Sequence, residues 1–173
     1  MMGVGKSTIG ARLAGELRRP FIDTDHEVEI AAGKPIAQIF ADEGECHFRQ
    51  LEAEAIDRAA QSGAVIALGG GAVADPDAMD RLRDRGETVY LEAPAAVLVE
   101  RIGDPSSRPL LAGLDRDGKT ARVETLLVKR LSIYARAKEQ VDASGTVEEV
   151  TAALVGLFSN EPVKPRGQDS RSS

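Results

Sequence analysis

The sequence predicts an α/β domain built on a parallel sheet, and three observations carry that reading. The chain opens on Gly3-Val4-Gly5-Lys6-Ser7-Thr8, the back half of a phosphate-binding loop, a motif that joins a strand to a helix. Behind it, helical segments alternate with short apolar runs, the pattern of helices layered on a sheet. One of those runs, Ala64-Val65-Ile66-Ala67-Leu68, is apolar without a break, as a strand buried on both faces must be.

The loop comes first in the chain and in the argument. Glycines let successive backbone N–H groups turn inward around phosphate oxygens. The helix that starts near Lys6 adds its unpaired N–H groups and positive end. In this motif Lys6 reaches the β- and γ-phosphates, and the Ser7 hydroxyl is a hard oxygen ligand suited to Mg²⁺. A glycine-rich tail leading into a helix capped by Ser7 or Thr8 is the plainer alternative.

Composition narrows the function classes. The chain has 173 residues, enough for one domain with a real core. Its 28 acidic and 22 basic residues leave a net charge of −6, which argues against a broad nucleic-acid surface. Aromatic content of 3% leaves no stacking platform for single strands. The lone Cys46 excludes an intrachain disulfide framework and fits a reducing, cytoplasmic setting. No apolar run approaches membrane-spanning length, and the reading includes no signal peptide and no membrane partner.

The elements follow in order. Ile9, Leu13, Ala14 and Leu17 mark one face of a helix over about 7–17, with Arg18-Arg19 in its last turn and Pro20 as its stop. Phe21-Ile22-Asp23 is a short strand ending in Asp23-Thr24-Asp25. Asp25 suits the cap of the next helix. Two carboxylates at the C-terminal edge of an α/β sheet also sit where ligands bind, one to organise Mg²⁺ through water and one to take a hydrogen bond from a substrate hydroxyl. His26 lies among charges and receives no metal role. Helical segments to about Ala32, over Ile36–Phe40 and over about 45–60 form an insertion spanning about 30–57, suited to a substrate lobe. On it, Arg49 is either an ordinary ion-pair residue or a planar fork aimed at a bound carboxylate.

The strand 64–68 runs into Gly69-Gly70-Gly71, either a turn before Asp75-Pro76 or a close backbone approach to a ligand emerging beside the phosphate loop. A helix over 77–85, a strand Thr88–Leu91 and a helix after Pro94 follow. From about 103 to 120, Gly and Pro punctuate a long segment carrying Arg108-Pro109-Leu110-Leu111. It reads as a lid whose arginine neutralises a transferring phosphoryl group, or as a surface insertion. Helical periodicity resumes near Ala121 and carries Arg130 and Tyr134. A strand at 140–142 and a helix capped by Ser144 or Thr146 close a single domain over 1–160. The tail 161–173 is charged, Ser/Pro-containing and reads as disordered.

Taken together these motifs resemble those of the shikimate kinases, which are nucleoside-monophosphate-kinase-like P-loop proteins. The resemblance runs from Met1 to about Leu157. It rests on Gly3–Thr8, on Phe21-Ile22-Asp23-Thr24-Asp25, on Phe48-Arg49 after Glu43-Gly44-Glu45, on Gly69-Gly70-Gly71, and on Arg108-Pro109-Leu110-Leu111 with Arg130 and Tyr134. It implies a three-layer α/β/α P-loop kinase fold with parallel strand order 2-3-1-4-5. It also implies ATP with Mg²⁺, and transfer of the γ-phosphate to shikimate by a cytoplasmic monomer of the aromatic amino-acid pathway.

By the same resemblance Gly3, Val4, Gly5, Lys6, Ser7 and Thr8 bind nucleotide, Ser7 and Asp23 serve the metal, and Lys6, Asp25 and Arg108 are catalytic. Asp25, Arg49, Arg130 and Gly69, Gly70 and Gly71 bind shikimate, and Arg101 packs on adenine. The chain departs from the family at its start, where the first strand and the leading glycine of the loop are missing. That departure implies an apolar slot, lowered stability and impaired turnover, or else a translation start upstream of Met1. A kinase for another small hydroxylated anion such as gluconate, and a nucleotide- or shikimate-binding domain without turnover, are the competing readings.

Overall fold

The computed structural model describes residues 2–72, 78–102, 111 and 113–159. Helix α1 (Lys6–Glu16) buries Ile9, Gly10, Leu13 and Ala14 on one face. It ends before Pro20 because Arg18 takes a left-handed backbone, φ 52°. Strand β1 (Phe21–Asp23) leads without a loop into α2 (Thr24–Ala32), which Gly33 closes at φ 67°. Helices α3 (Ile36–Asp42) and α4 (Gly44–Ala60) complete the insertion. The start of α3 is satisfied by Glu29 of α2, whose Oε1 accepts from the Ile36 N–H at 3.0 Å. Val28, Ile39, Phe48 and Ala55 give this lobe a core of its own. Full burial of Val28 and Ile39 is worth about 1.5–3 kcal/mol each.

Strand β2 (Val65–Ala67) returns to the sheet, followed by α5 (Ala78–Arg85), β3 (Val89–Glu92) and α6 (Ala95–Ile102). Helix α7 runs over Arg116–Tyr134, so the part of the expected lid from Arg116 onward is helix. Gly118 reads as punctuation in the sequence, but Asp115 accepts from its N–H at 2.8 Å and caps the helix there. Strand β4 (Glu139–Asp142) and α8 (Val147–Phe158) finish the described fold. Thr146 and Glu149 form a reciprocal capping box at the start of α8, which selects Thr146 over Ser144. Arg108, the lid segment 103–110 and the tail 161–173 lie outside the described residues.

All the strand pairing among the described residues is parallel. Phe21 of β1 lies opposite Val65 of β2, and Asp23 opposite Ala67. Val89 of β3 lies opposite Glu139 of β4, and Glu92 opposite Asp142. The described strands form two separate two-stranded sheets, β1-β2 and β3-β4. This matches the order 2-3-1-4-5 with no strand at its middle place among the described residues. Between β2 and β3 lies a cavity of about 390 Å³, lined by Ile9, Leu13, Ile66, Val89, Leu91 and Leu154 among others. The helical layers hold the halves together. Helix α1 packs on α8 and on β2, and α6 packs on α7. The main core runs from Val4, Ile9 and Leu13 through Leu98 and Val123 to Val141 and Leu154.

Candidate active site

The C-terminal ends of β1 and β2 bring most of the expected residues to one edge of the sheet. Gly5 caps α1 with φ 87° and offers no side chain to its first N–H groups, so these remain available to an anion. Gly3 is fixed at φ 76°, and a Cβ there would come 2.6 Å from the Leu98 carbonyl oxygen. Val4 between them is 1% exposed and anchors the loop in the core.

Ser7 and Asp23 meet directly. The Ser7 hydroxyl donates to Asp23 Oδ2 at 2.6 Å, joining the first turn of α1 to the end of β1. Asp23 Oδ1 accepts from the Asp25 N–H at 3.1 Å, so Asp23 is the cap of α2 and Asp25 lies inside its first turn. The capping role expected of Asp25 thus belongs to Asp23, because the helix starts two residues earlier than an Asp25 cap implies. Hydroxyl and carboxylate oxygens side by side are the donor chemistry a Mg²⁺ ion takes. Among the described residues no cluster of three His, Cys, Asp or Glu side chains could hold a metal. A cation at this pair would therefore complete its shell with phosphate and water oxygens, as Mg²⁺ does in nucleotide sites.

The glycine run is the hub of the acceptor side, and each of its residues meets a different functional group. A Cβ on Gly69 would collide with Asp25 Oδ1 and stand 3.1 Å from Glu52 Oε1. The Gly70 carbonyl accepts from Arg130 Nη1. A Cβ on Gly71 would collide with the Arg49 guanidinium. Thr24, fully buried, fixes the start of the run: its hydroxyl donates to the Ala67 carbonyl at 3.3 Å and accepts from the Gly69 N–H at 2.9 Å. Arg49 is aimed by its own helix. It donates to Glu52 Oε2 at 2.7 Å and to Glu45 Oε1 at 3.0 Å, and its guanidinium sits 5.1 Å from the Phe48 ring centre.

Electrostatics separate the carboxylates. Burial raises the pKa of Asp25 above 3.8, neighbouring Asp23 raises it further, and Lys6 pulls it back. Burial likewise raises Glu52, against the hydrogen bond from Arg49. Raised carboxylates in a cleft are the usual mark of a group kept ready to exchange a proton.

Thr24 and Glu52 were invisible as site residues in the sequence. Thr24 looks like a spacer between two aspartates, and Glu52 like one more acid on an acidic helix. A signal for Glu52 did exist, since it lies three residues after Arg49 and so on the same helical face. Arg101 is held: its guanidinium donates to the carbonyls of Ala143, Ser144 and Gly145 at 2.5, 2.8 and 2.6 Å. It thereby ties α6, and with it the residue expected to pack on adenine, to the turn between β4 and α8.

Comparisons with known proteins point to one family. The family described as Shikimate kinase matches residues 2–157. A shikimate kinase of Nitrobacter winogradskyi is 44% identical over 138 residues, 79% of this chain and 63% of that protein. One from Desulforudis audaxviator is 40% identical over 173 residues, 99% of this chain and 89% of that protein. The crystal structure of the Bacteroides thetaiotaomicron shikimate kinase superposes with a TM-score of 0.84 at 32% identity, covering 91% of this chain and 94% of that one. Sequence and fold thus give one answer over nearly all of the described residues: the chain belongs to the shikimate kinase family.

Proposed function

We propose that this chain transfers the γ-phosphoryl group of ATP to a hydroxyl of shikimate, giving shikimate 3-phosphate and ADP. The observation that supports this most is the glycine run itself. Through Gly69, Gly70 and Gly71 one stretch of backbone touches a carboxylate with a raised pKa and two arginines, beside a phosphate-binding loop. A small molecule with a carboxylate at one end and hydroxyls at the other suits that set.

The roles follow from the chemistry. Arg49 and Arg130 hold the acceptor carboxylate, and Gly69–Gly71 let it approach the backbone. Asp25 accepts the proton of the attacking hydroxyl as that oxygen bonds to the γ-phosphorus and the bond to the ADP oxygen breaks. Lys6 and the N–H groups of the loop offset charge on the phosphates, and Arg108 adds to this from the lid. Ser7 and Asp23 would hold Mg²⁺, which would supply further neutralisation of phosphate charge. Arg101 shapes the adenine side. The chain works as a cytoplasmic monomer, with the helical insertion as its substrate lobe.

The test is ADP release measured with shikimate and, separately, with gluconate. Shikimate-dependent release that is lost in Lys6→Ala and strongly weakened in Arg49→Ala and Arg130→Ala supports the proposal. Equal rates with gluconate would sink it. The cavity between β2 and β3 favours one second reading, a domain that binds shikimate without turnover. Calorimetric titration of shikimate and ATP alongside the rate measurement separates the two, since binding without ADP release leaves only the second.

A further inference from the structure

Arg130 reaches the Gly70 carbonyl from a stretch of α7 that has little else to seat it. The first half of the helix is set in the main core by Val123, with Leu126 and Leu127 against it. Beyond that point Val128 is 74% exposed and Leu131 49% exposed. From 128 to 134 the one buried residue is Tyr134, at the last position of the helix. Residues four apart share a helical face, so Arg130 and Tyr134 lie on one side of α7, a turn apart.

Tyr134 is gripped from the sheet. Strand β3 alternates: Val89 and Leu91 pack on the main core, and Tyr90 between them enters a separate cluster with Met79 of α5 and Tyr134. The two tyrosine rings stack with centres 4.9 Å apart and planes 17° from parallel. Rings at that separation attract each other beyond the effect of burial. After Tyr134 the chain is tied by polar contacts. Arg136 pairs with Asp80, Lys138 Nζ with Glu87 at 2.8 Å, and the Lys138 N–H donates to Thr88 Oγ1 at 3.0 Å. Partly exposed ion pairs hold weakly, so the buried stack is the firm link between the end of α7 and β3.

We propose that Tyr134 is a positioning residue for the acceptor site. Stacked on Tyr90, it fixes the height and rotation of the last turns of α7, and these set how far Arg130 extends over the glycine run. Its bearing on substrate rests on Arg130 holding the acceptor carboxylate, as proposed above. The stack also joins the two strand pairs at the site: Arg130 is braced on β3 and acts on the backbone that follows β2.

The test uses four variants. Tyr134→Leu and Tyr90→Leu keep apolar bulk and lose the stacked rings. Tyr134→Phe keeps the ring, and Val123→Ala loosens α7 in the main core instead. The Arg130 guanidinium N–H signals are followed by heteronuclear NMR without ligand, and KM and kcat are measured for shikimate and ATP. Both leucine variants should merge the Arg130 signals with those of solvent-exposed arginines. They should raise KM for shikimate about tenfold, as residues coupled by contact do, with kcat and KM for ATP near the parent values. Tyr134→Phe should match the parent in both readouts. Val123→Ala should melt lower and leave both readouts unchanged. In an Arg130→Ala background, Tyr134→Leu should raise KM no further, because the two residues act through one contact. Unchanged Arg130 signals in both leucine variants would overturn the proposal. So would an equal rise in KM in Val123→Ala, or additive effects in the double variant. If the parent binds no shikimate and the signals still change in Tyr134→Leu, the substrate reading falls and the brace stands.

Discussion

The backbone of Gly69 and the carboxylate of Asp25 lie so close that a Cβ on the glycine would overlap Asp25 Oδ1. Asp25 lies in the first turn of α2 and Gly69 just beyond the end of β2, and buried Thr24 bonds to Ala67 and Gly69. Gly69→Ala must therefore push the carboxylate or the strand end aside. A shift of about 1 Å in a reacting group can cost about a hundredfold in rate. The expected result is a fall in kcat of that order with little change in melting temperature. Gly70→Ala is the control for stability, since its Cβ meets nothing within 4 Å. Any loss of acceptor affinity in that variant reports a clash with the bound molecule.

Asp25 should set the acid limb of the pH profile. Burial and Asp23 raise its pKa above the ordinary 3.8. The protonated acid cannot accept a proton, so kcat/KM should fall on acidification from a pH above that value. Asp25→Asn should lower kcat by about 10²–10⁴-fold, the usual range for a lost general base. The sign for stability is opposite. A raised pKa in the fold means that ionising Asp25 costs stability, a cost absent at pH values below 3.8 and complete above the folded pKa. Asp25→Asn should accordingly melt higher than the parent at neutral pH, checked by calorimetry at pH 7.

Glu52 acts through Arg49. Its Oε2 takes the Arg49 bond at 2.7 Å, while Oε1 is buried with no hydrogen-bond partner, close to Gly69. A buried, half-satisfied carboxylate is costly, which points to a role outside stability. Glu52→Gln keeps the shape but drops the charge that aims the guanidinium. KM for the acceptor should rise by about tenfold, the loss of roughly 1.4 kcal/mol of positioning, while kcat stays near the parent value. A purely structural role would instead change melting temperature and leave KM alone.

The sequence was most legible where one physical requirement dominates a short stretch. The burial on both faces expected of Ala64–Leu68 is met only at Ala67, the rest being half-buried, whereas Gly3 and Gly5 need left-handed backbone and Gly69 and Gly71 need room for neighbours. Each requirement restricts residue type strongly enough to be read. The site was less legible where one residue serves two demands. Asp23 and Asp25 are both plausible caps, and only the start of α2 at Thr24 decides between them. Thr24 and Glu52 act through partners 43 and three residues away, Ala67 and Arg49, and no local pattern encodes the longer pairing. The start of α7 was hidden because Gly118 looks like a breaker until Asp115 is seen capping it.

Asp23 offers a way to separate metal chemistry from folding. Its Oδ1 caps α2 through the Asp25 N–H, and its Oδ2 takes the Ser7 hydroxyl. Asparagine caps helices about as well as aspartate. Asp23→Asn should therefore keep the melting temperature while raising the Mg²⁺ concentration needed for half-maximal rate, by about tenfold for the lost charge on a hard cation. Asp23→Ala loses both functions. It should show the same Mg²⁺ defect together with a drop of about 2–4 °C, as expected for one missing cap of about 1 kcal/mol. Ser7→Ala should reproduce the metal defect without the drop, because Gly5 caps α1 and Ser7 does not. Rate against Mg²⁺ concentration and melting curves on the three variants check the pattern. A Mg²⁺ requirement unchanged in Asp23→Asn would remove this residue from the metal site.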